Sequence, residues 1–549
     1  MAVFASLGLA AAAEDETVPA VEAVISSRVA ALPEPTPVPI PKGLTMAITA
    51  SDPQAQKHVL DGISNLHGGW DFEAYRHFCA ALKIDPECLM AHWGVVVALI
   101  DPEPDLLDER SAALSRMVEL VEKEAGTELE RSYAFAIATF FQKGAPAAAN
   151  VFASLAERFP NDPQLKMLTA AFGRSGYDPE GRPNPEQEKA EALLGEMLTR
   201  EPDHPLYLYA YLTIRAEAPD LRGDLARARR LSQVAPTYAP ALHMLGHYEL
   251  RNGNIAQAVE AFSQAGAAYR QWMQATGVTY ADCAGWVKAE CYRAAALAYK
   301  GDYENAIAVA RSVAAIDVSP ERSRSEGGQL LLWEGRTLET RLLMRRNAAG
   351  DTARAIAALP APEKQKAFGK LTHSVWFYQG LAFLLEARKA MEAGNRDEAV
   401  KIGSAVTLHG EKMAENRDAA VAAGDRSAWI RSFNALEVYA AEFRGAMAMS
   451  GPKDGIGSAL NWYRAALDRQ NPPTMLMPPT VLLPMEARLA EYYMAKDQAD
   501  AAVDILIKAQ ERHTNDIEIL TRLQTALTKA GHKKQAGEVG EEIEKLRSE

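Results

Sequence analysis

The stretch from Gln56 to Leu99 reads QKHVLDGISNLHGGWDFEAYRHFCAALKIDPECLMAHWGVVVAL, and its pattern is that of a helical hairpin followed by a third helix. Small residues recur at helical spacing, among them Gly62 and Ala74. Because small side chains let helices approach closely, this spacing predicts two antiparallel helices in contact. Gly69 lies between them and favours a tight reversal of the chain. Pro86 cannot continue a helix and therefore predicts where the second helix ends.

Weaker copies of this pattern recur along the chain. A glycine is followed five residues later by an alanine in several places: Gly69/Ala74, Gly144/Ala149, Gly253/Ala258, Gly301/Ala306, Gly394/Ala399 and Gly531/Ala536. Asp497 and Ala502 have the same spacing without the glycine. Pro202 and Pro236 are 34 residues apart, as are Ala502 and Ala536. This is the period of tetratricopeptide repeats, so we predict an all-α superhelical solenoid of antiparallel hairpins.

The residues predicted to pack these repeats are small side chains and one helix-ending proline. They are Gly62, Gly69, Ala74, Ala81, Pro86, Gly94, Gly246, Gly253, Ala258, Gly301, Ala306, Gly394, Ala399, Ala502, Gly531 and Ala536. Ile137 and Gln524 stand where a small residue is expected, which makes their hairpins the least regular. Gly253 and Gly301 are 48 residues apart, so we predict an extended helix or an insertion between them.

Three segments resemble a particular family of repeat proteins. LHGGWDFEAYRHFCAALKIDPECLMAHWG at 66–94, ALHMLGHYELRNGN at 241–254 and MPPTVLLPMEARLAEYYMAKDQADAAVDIL at 477–506 resemble a family of bacterial, often exported, tetratricopeptide-repeat proteins. The resemblance covers about residues 53–545. It implies a helical scaffold and no established chemistry.

Composition limits the classes of partner. The chain has 549 residues, and its hydrophobic content of 48% excludes general disorder. The net charge is -13 and the isoelectric point is about 5.5. Since such a charge repels polyanions, we expect neither nucleic acid nor an anionic membrane as the main partner. After the first residues no apolar stretch is long enough to span a bilayer, so we expect no transmembrane segment in the mature chain.

We predict four segments along the chain. Residues 1–13, MAVFASLGLAAAA, resemble the end of a signal peptide and favour a periplasmic or otherwise exported protein, although no Lys or Arg precedes the apolar run. Residues 14–49 contain five prolines in alternation and predict an extended linker that acts as a spacer. Residues 50–330 and 331–549 are then two arrays of one continuous solenoid.

No motif of nucleotide binding, nucleophilic catalysis or zinc-dependent proteolysis occurs, and we therefore expect a protein that is not an enzyme and has no cofactor. Histidines and cysteines cluster in two places: His58, His67, His77, Cys79, Cys88 and His92, and then His243, His247, Cys283 and Cys291. Cys88 and His92 are four residues apart on one helical face, and so form the alternative metal site. Packing in the protein core is the competing interpretation, and we expect free thiols or at most one long-range disulfide.

Our functional hypothesis is a scaffold that binds a protein or peptide partner in a concave groove. The candidate groove residues are His67, Trp93, His243, His247, Trp286 and Trp376. The alternative is a metal- or small-ligand-binding helical-repeat protein that uses the His/Cys clusters.

Two further features concern the surface. Arginines at Arg336, Arg341, Arg345 and Arg346 are interpreted as a solvated helix face. The loop at 471–484, NPPTMLMPPTVLLP, is too apolar for a solvated loop, so we expect it to pack against the inner face or a neighbouring repeat.

Overall fold

A computed structural model gives the fold and describes residues 21–37, 40, 42–100, 105–178, 180–361, 372–420, 426–451, 456–470 and 473–548, except for the side chains of 419, 420, 426 and 427. Regular structure in these ranges is helical, and the one β-type pairing there is an isolated antiparallel bridge between Tyr177 and Pro183. Helices adjacent in sequence pack against each other through short connections, which is the arrangement of antiparallel hairpins. The predicted all-α fold is confirmed. Within the described ranges no helix has the length and apolar character needed to cross a bilayer.

Internal contacts divide the chain into two compact units. The first consists of Met1–Leu245 with Ala268–Thr279, and the second of Gly246–Ala267 with Tyr280–Glu549. The boundary thus crosses two helices, α13 (Ala239–Arg251) and α14 (Ile255–Thr276). At 22 residues, α14 is the extended helix that the spacing of Gly253 and Gly301 predicts.

The helices that lie wholly in the first unit begin with two single turns and continue as regular helices of 10 to 16 residues. They are α1 (Val21–Val24), α2 (Ser27–Ala30), α3 (Pro53–His67), α4 (Asp71–Ile84), α5 (Leu89–Ala98), α6 (Leu107–Glu122), α7 (Glu128–Lys143), α8 (Ala145–Arg158), α9 (Pro163–Gly173), α10 (Pro185–Arg200), α11 (Pro205–Arg215) and α12 (Leu225–Val234).

The second unit contains longer helices and one π-helical turn, Leu331–Gly335. Its α-helices are α15 (Ala284–Tyr299), α16 (Tyr303–Ala314), α17 (Glu326–Leu330), α18 (Arg336–Arg346), α19 (Asp351–Ala358), α20 (His373–Glu392), α21 (Arg396–Ala420), α22 (Arg426–Met449), α23 (Gly457–Arg469), α24 (Met485–Ala495), α25 (Ala499–Arg512), α26 (Ile517–Ala530) and α27 (Lys533–Ser548).

The predicted division at residue 330 differs from the contact-based one. Residue 330 ends α17, which runs without a break into the π-helical turn and then into α18. Leu331 and Trp333 of this turn are buried within the second unit. That the two arrays form one continuous solenoid stays a prediction.

In the hairpin of residues 56–99, small residues stand where two helices approach each other closely. A Cβ atom added at Gly62 would lie 2.7 Å from the Phe78 ring, and one added at Gly94 would lie 2.3 Å from the same ring. In the second unit, Gly246 faces Phe262 in the same way, at 2.7 Å. The paired alanines of the repeat are buried as well: Ala74, Ala258, Ala306, Ala399, Ala502 and Ala536.

The turns also follow the pattern. Gly69 has φ of +75° and Asp497 has φ of +57°, so the aspartate takes the left-handed conformation that glycine takes elsewhere. Helix α4 ends at Ile84, and Asp85 before Pro86 is extended. The irregular residue Gln524 is accommodated by a small residue on the partner helix, because a Cβ at Gly540 would lie 2.5 Å from Gln524 Nε2.

The segment predicted as a linker, residues 14–49, packs against α4 where the structure describes it. The Tyr75 hydroxyl donates to the Val24 carbonyl oxygen at 3.0 Å and accepts from the Ser26 N–H at 3.0 Å. Arg76 Nη2 donates to the Pro33 carbonyl oxygen at 2.9 Å. The expectation of a free spacer is therefore corrected for residues 21–37, because buried side chains of α4 bind its backbone. Residues 1–13, with the proposed signal-peptide remnant, lie outside the described part of the chain.

The apolar loop lies inside the second unit, as its composition predicts. Its described side chains from Met477 to Leu483 are buried. Gln470 Nε2 donates to the carbonyl oxygens of Val481 and Leu483 at 2.9 and 2.8 Å. Tyr292 donates to the Met477 carbonyl oxygen at 2.9 Å. Backbone acceptors that are removed from water are thus paired by side chains of the surrounding helices.

Candidate binding site

Most of the predicted groove residues belong to the protein core. Trp93, His243, His247 and Trp286 are buried, and the Trp93 ring packs edge-on against Tyr133 at 5.3 Å. Their large apolar surfaces are used to fill helix contacts, so they are not available to a partner. This corrects the expectation that they line an open groove.

The other two predicted groove residues are partly exposed but are engaged within the fold. His67 Nε2 lies 3.0 Å from Gln164 Oε1, and burial lowers the pKa of His67 to about 4 in spite of that hydrogen bond. The Trp376 ring lies 4.9 Å from the His409 ring, and His409 Nε2 lies 2.8 Å from the Trp376 carbonyl oxygen. Neither residue lies in the pocket described below.

Cys88 and His92 are oriented toward backbone carbonyls. Cys88 Sγ lies 3.7 Å from the Thr49 carbonyl oxygen, and His92 Nε2 lies 2.9 Å from that of Pro86. Burial lowers the pKa of His92 to about 4. Across the described ranges, no group of three His, Cys, Asp or Glu side chains is arranged to hold a metal ion. The alternative metal site therefore has no support in the geometry.

All four cysteines are free and buried, in agreement with the expectation of thiols. Burial raises the pKa of each thiol to about 12: Cys79, Cys88, Cys283 and Cys291. A thiolate is disfavoured at all of these positions, so none has the character of a reactive or metal-binding cysteine.

An open pocket between α21, α22 and α23 is the strongest candidate site. Its volume is about 410 Å³, and we call it the α21–α23 pocket. Its lining residues are Arg396, Val400, Gly403, Ser404, Thr407, Phe443, Arg444, Met447, Ala448, Gly451, Ser458 and Trp462.

Small residues bring the three helices together at this pocket. A Cβ atom at Gly403 of α21 would lie 3.2 Å from the Phe443 ring of α22. One at Gly445 of α22 would lie 2.3 Å from the Tyr463 ring of α23. Phe443 and Met447 are buried beneath the pocket and give it an apolar floor.

Two apolar side chains remain exposed on the walls. Val400 is 52% exposed and Trp462 is 38% exposed. The Arg444 guanidinium lies over the Trp462 ring, with Cζ 4.9 Å from the ring centroid. Arg444 Nη2 also donates to Thr407 Oγ1 at 2.6 Å, which fixes the guanidinium between α21 and α23.

The second arginine of the pocket is held by the end of α22. Arg396 Nη1 donates to the Met447 carbonyl oxygen at 3.1 Å and to Ser450 Oγ at 3.3 Å. Carbonyl oxygens near a helix C-terminus attract a cation, which explains this position. Within the described part of the chain, neither Arg396 nor Arg444 forms an ion pair with a carboxylate. The pocket therefore offers an apolar floor, an exposed indole and two positive charges.

The sequence carries no distinct signal for this site. Trp462 lies three residues after Ala459 and four before Ala466, so helical spacing places it beside the core-facing residues of α23. Arg396 and Arg444 carry no signal either, because the two are 48 residues apart in an acidic chain.

Comparison with known proteins gives no family. No protein-family model matches the chain, and no curated protein does. Among solved structures, it is similar to a human IFIT1 dimer with m7Gppp-AAAA at 13% identity, over 84% of this chain and 90% of that chain, with a TM-score of 0.37. It is also similar to Naa15/Naa10 bound to HypK-THB at 13% identity, over 89% and 94% of the chains, with a TM-score of 0.21. Both TM-scores are low, so neither likeness bears on the function of this chain.

Proposed function

We propose that the protein is a non-enzymatic helical-hairpin scaffold that binds a segment of a partner protein in the α21–α23 pocket. The observation that supports this is the exposed indole of Trp462 beside an apolar floor. Exposing a tryptophan and a valine to water in one place is unfavourable unless a partner covers them. Tryptophan and arginine are also the residues that most often anchor protein interfaces.

The shape of the pocket suits one or two side chains of a peptide segment. Its volume of about 410 Å³ is at the lower end of ligand sites, and it lies on three packed helices. Arg444 is already held by Thr407 and Trp462, so little conformational entropy remains to be lost on binding.

A display library of short random peptides tests this proposal. We expect peptides that bind the full chain and lose affinity about thirtyfold in Trp462→Ser, as removal of a central aromatic anchor costs about 2 kcal/mol. Ile507→Ser is the matched control, because Ile507 is an exposed apolar residue on α25 outside the pocket. A library that yields no binder, or binders equally affected by both variants, would overturn the proposal.

We also propose that the protein is exported and belongs with the exported tetratricopeptide-repeat proteins that it resembles. The apolar run at 1–13 and the alanines before Glu14 support this. Amino-terminal sequencing of the protein from fractionated cells tests it. An amino terminus near residue 14 in an exported fraction is the expected result, and an intact Met1 in the cytoplasmic fraction would contradict it.

A further inference from the structure

We infer that the segment bound by the α21–α23 pocket is acidic, with carboxylates that pair with Arg396 and Arg444 and an apolar side chain that packs on Trp462. This inference rests on the proposed function, and it adds the chemical class of the partner. Three observations support it: the charge of the lining, the hydrogen-bonding capacity of the two guanidiniums, and the single exposed aromatic side chain among the described lining residues.

The first observation is the charge of the lining. Among the described lining residues, two are arginines and none is acidic. Some exposed arginines in this chain of net charge -13 are paired with carboxylates, as in Arg311 with Glu339 at 2.7 Å and Arg230 with Asp203 at 2.7 Å. Arg396 and Arg444 lack such pairs among the described residues, so no carboxylate in that part of the chain competes with one from a partner.

The second observation is the hydrogen-bonding capacity of the two guanidiniums. Arg444 uses Nη2 for Thr407, and Arg396 uses Nη1 for Met447 and Ser450. Since a guanidinium has five N–H donors on three nitrogens, each arginine keeps donors for a bidentate carboxylate contact. Each guanidinium is also fixed in position by hydrogen bonds to uncharged groups, which do not neutralise its positive charge.

The spacing of the anchors limits how the acidic residues can be arranged. Arg444 and the Met447 carbonyl that holds Arg396 are three residues apart on α22, or about 4.5 Å of axial rise. Acidic side chains two apart in an extended segment, or three to four apart in a helix, lie on one face at a comparable spacing. An apolar residue on the same face, at the next such spacing along the segment, would then pack on Trp462 and the Phe443 floor.

The third observation favours a peptide over a nucleic acid. Among the described residues, Trp462 is the one aromatic residue exposed on the pocket wall, whereas single-stranded nucleic acids are held by several stacking side chains along a basic groove. The net charge of -13 also repels a polyphosphate chain as a whole.

Fluorescence anisotropy on the full chain tests the inference. The probes are the peptides selected by the display library, their isosteres with Gln for Glu and Asn for Asp, and a short oligo(A). The variants are Arg396→Gln and Arg444→Gln, with Arg464→Gln as the control of equal charge change, because Arg464 is exposed on α23 outside the pocket.

We expect Arg396→Gln and Arg444→Gln each to weaken acidic peptides about tenfold, since a hydrogen bond between charged groups contributes about that factor. Arg464→Gln should change affinity less than about twofold, as exposed charges contribute little. The amide isosteres lose both contacts, so they should bind the wild type as weakly as the acidic peptides bind the double variant Arg396→Gln/Arg444→Gln. Combining the isosteres with that double variant should cause no further loss.

Other outcomes overturn the inference in distinguishable ways. Peptides that depend on Trp462 but bind equally well as amide isosteres would overturn the acidic class and leave the proposed function standing. Oligo(A) binding that is lost in both arginine variants would assign the pocket to nucleic acid instead. A concentration-dependent dimer abolished by Trp462→Ser would assign it to a second copy of the chain. If none of the selected peptides depended on Trp462 for binding, both proposals would be overturned.

Discussion

Arg345 donates a hydrogen bond from Nη1 to the backbone carbonyl oxygen of Leu482 at 2.6 Å. Its Nη2 forms an ion pair with Asp516 Oδ1 at 2.5 Å, and both side chains are fully buried. One guanidinium therefore joins α18, the apolar loop and the start of α26. Its neighbour Arg341 binds Glu334 at 2.7 Å and the Thr480 carbonyl oxygen at 3.1 Å. These arginines act together with Gln470 and Tyr292, which also donate to carbonyl oxygens of the loop.

The first prediction concerns this buried pair. Arg345→Met should lower the free energy of unfolding by about 3–5 kcal/mol, because it leaves the Asp516 carboxylate buried without its cation. Urea denaturation followed by circular dichroism measures the change. Adding Asp516→Asn should recover part of the loss, since the neutral amide can still cap α26.

The control for that prediction is an exposed pair. Arg311→Met removes the partner of Glu339 at the surface and should cost about 1 kcal/mol or less. Equal losses in Arg345→Met and Arg311→Met would show that the buried arginine does not hold the loop.

Local rules explain why the hairpins could be predicted from the sequence. The requirement for a small residue at Gly62 or Ala74 depends on a helix only a few residues away, and Pro86 ends its own helix. The buried arginines could not be predicted in the same way. Arg345 lies 137 residues from Leu482 and 171 residues from Asp516, so sequence alone left it on a solvated face. The expectation of a solvated face was wrong for Arg341 and Arg345, because Thr480, Leu482 and Asp516 from distant parts of the chain accept hydrogen bonds from their buried guanidiniums.

The candidate site shows the same limit. Arg396, Arg444 and Trp462 come from three helices, and only their packing brings them to one pocket. The tryptophan and histidine residues that stood out in the sequence, such as Trp93 and His247, are core residues. Large aromatic side chains contribute most to burial, so a conspicuous tryptophan is more often structural than exposed.

The second prediction concerns close helix contacts. Gly94→Ala should destabilise the protein by about 1–2 kcal/mol, because the new Cβ would lie 2.3 Å from the buried Phe78 ring. Thermal denaturation measures the effect. Adding Phe78→Leu should restore part of the stability by making room for the methyl group.

Gly195→Ala is the matched control for that prediction. Gly195 is also in a helix of the first unit, but nothing lies within 4 Å of an added Cβ. The substitution should stabilise the protein by about 0.5–1 kcal/mol through helix propensity. If Gly94→Ala were also stabilising, the close packing at Phe78 would not be as described.

The third prediction concerns the thiols. Because burial raises the pKa of all four to about 12, they should react with a disulfide reagent only slowly in the native protein. Four thiols should react at once in denaturant. Ser154→Cys is the positive control, because Ser154 is exposed on α8 and should react in the native state. Fewer than four reactive thiols after denaturation without reductant would reveal a disulfide.

The last prediction concerns His373, which is buried between the Trp333 and Trp429 rings at centroid distances of 5.2 and 6.2 Å. Neither ring nitrogen has a hydrogen-bond partner among the described residues. Burial lowers the pKa of His373 to about 4, although the Glu334 carboxylate opposes this. Phenylalanine would keep the ring contacts without the buried polar atoms, so His373→Phe should stabilise the protein by about 1–3 kcal/mol near neutral pH.

The stability gained from His373→Phe should be larger at acidic pH. Above pH 6.5, the ordinary pKa of histidine, the ring is neutral in both the folded and the unfolded chain. Between pH 6.5 and about 4, the unfolded chain binds a proton that the folded chain does not, so His373 lowers stability as the pH falls. At about pH 5 this cost is about 2 kcal/mol, and His373→Phe removes it. Urea denaturation at both pH values measures the difference, with His532→Phe at an exposed site as the control. An equal gain at both pH values would mean that His373 is not held neutral by burial.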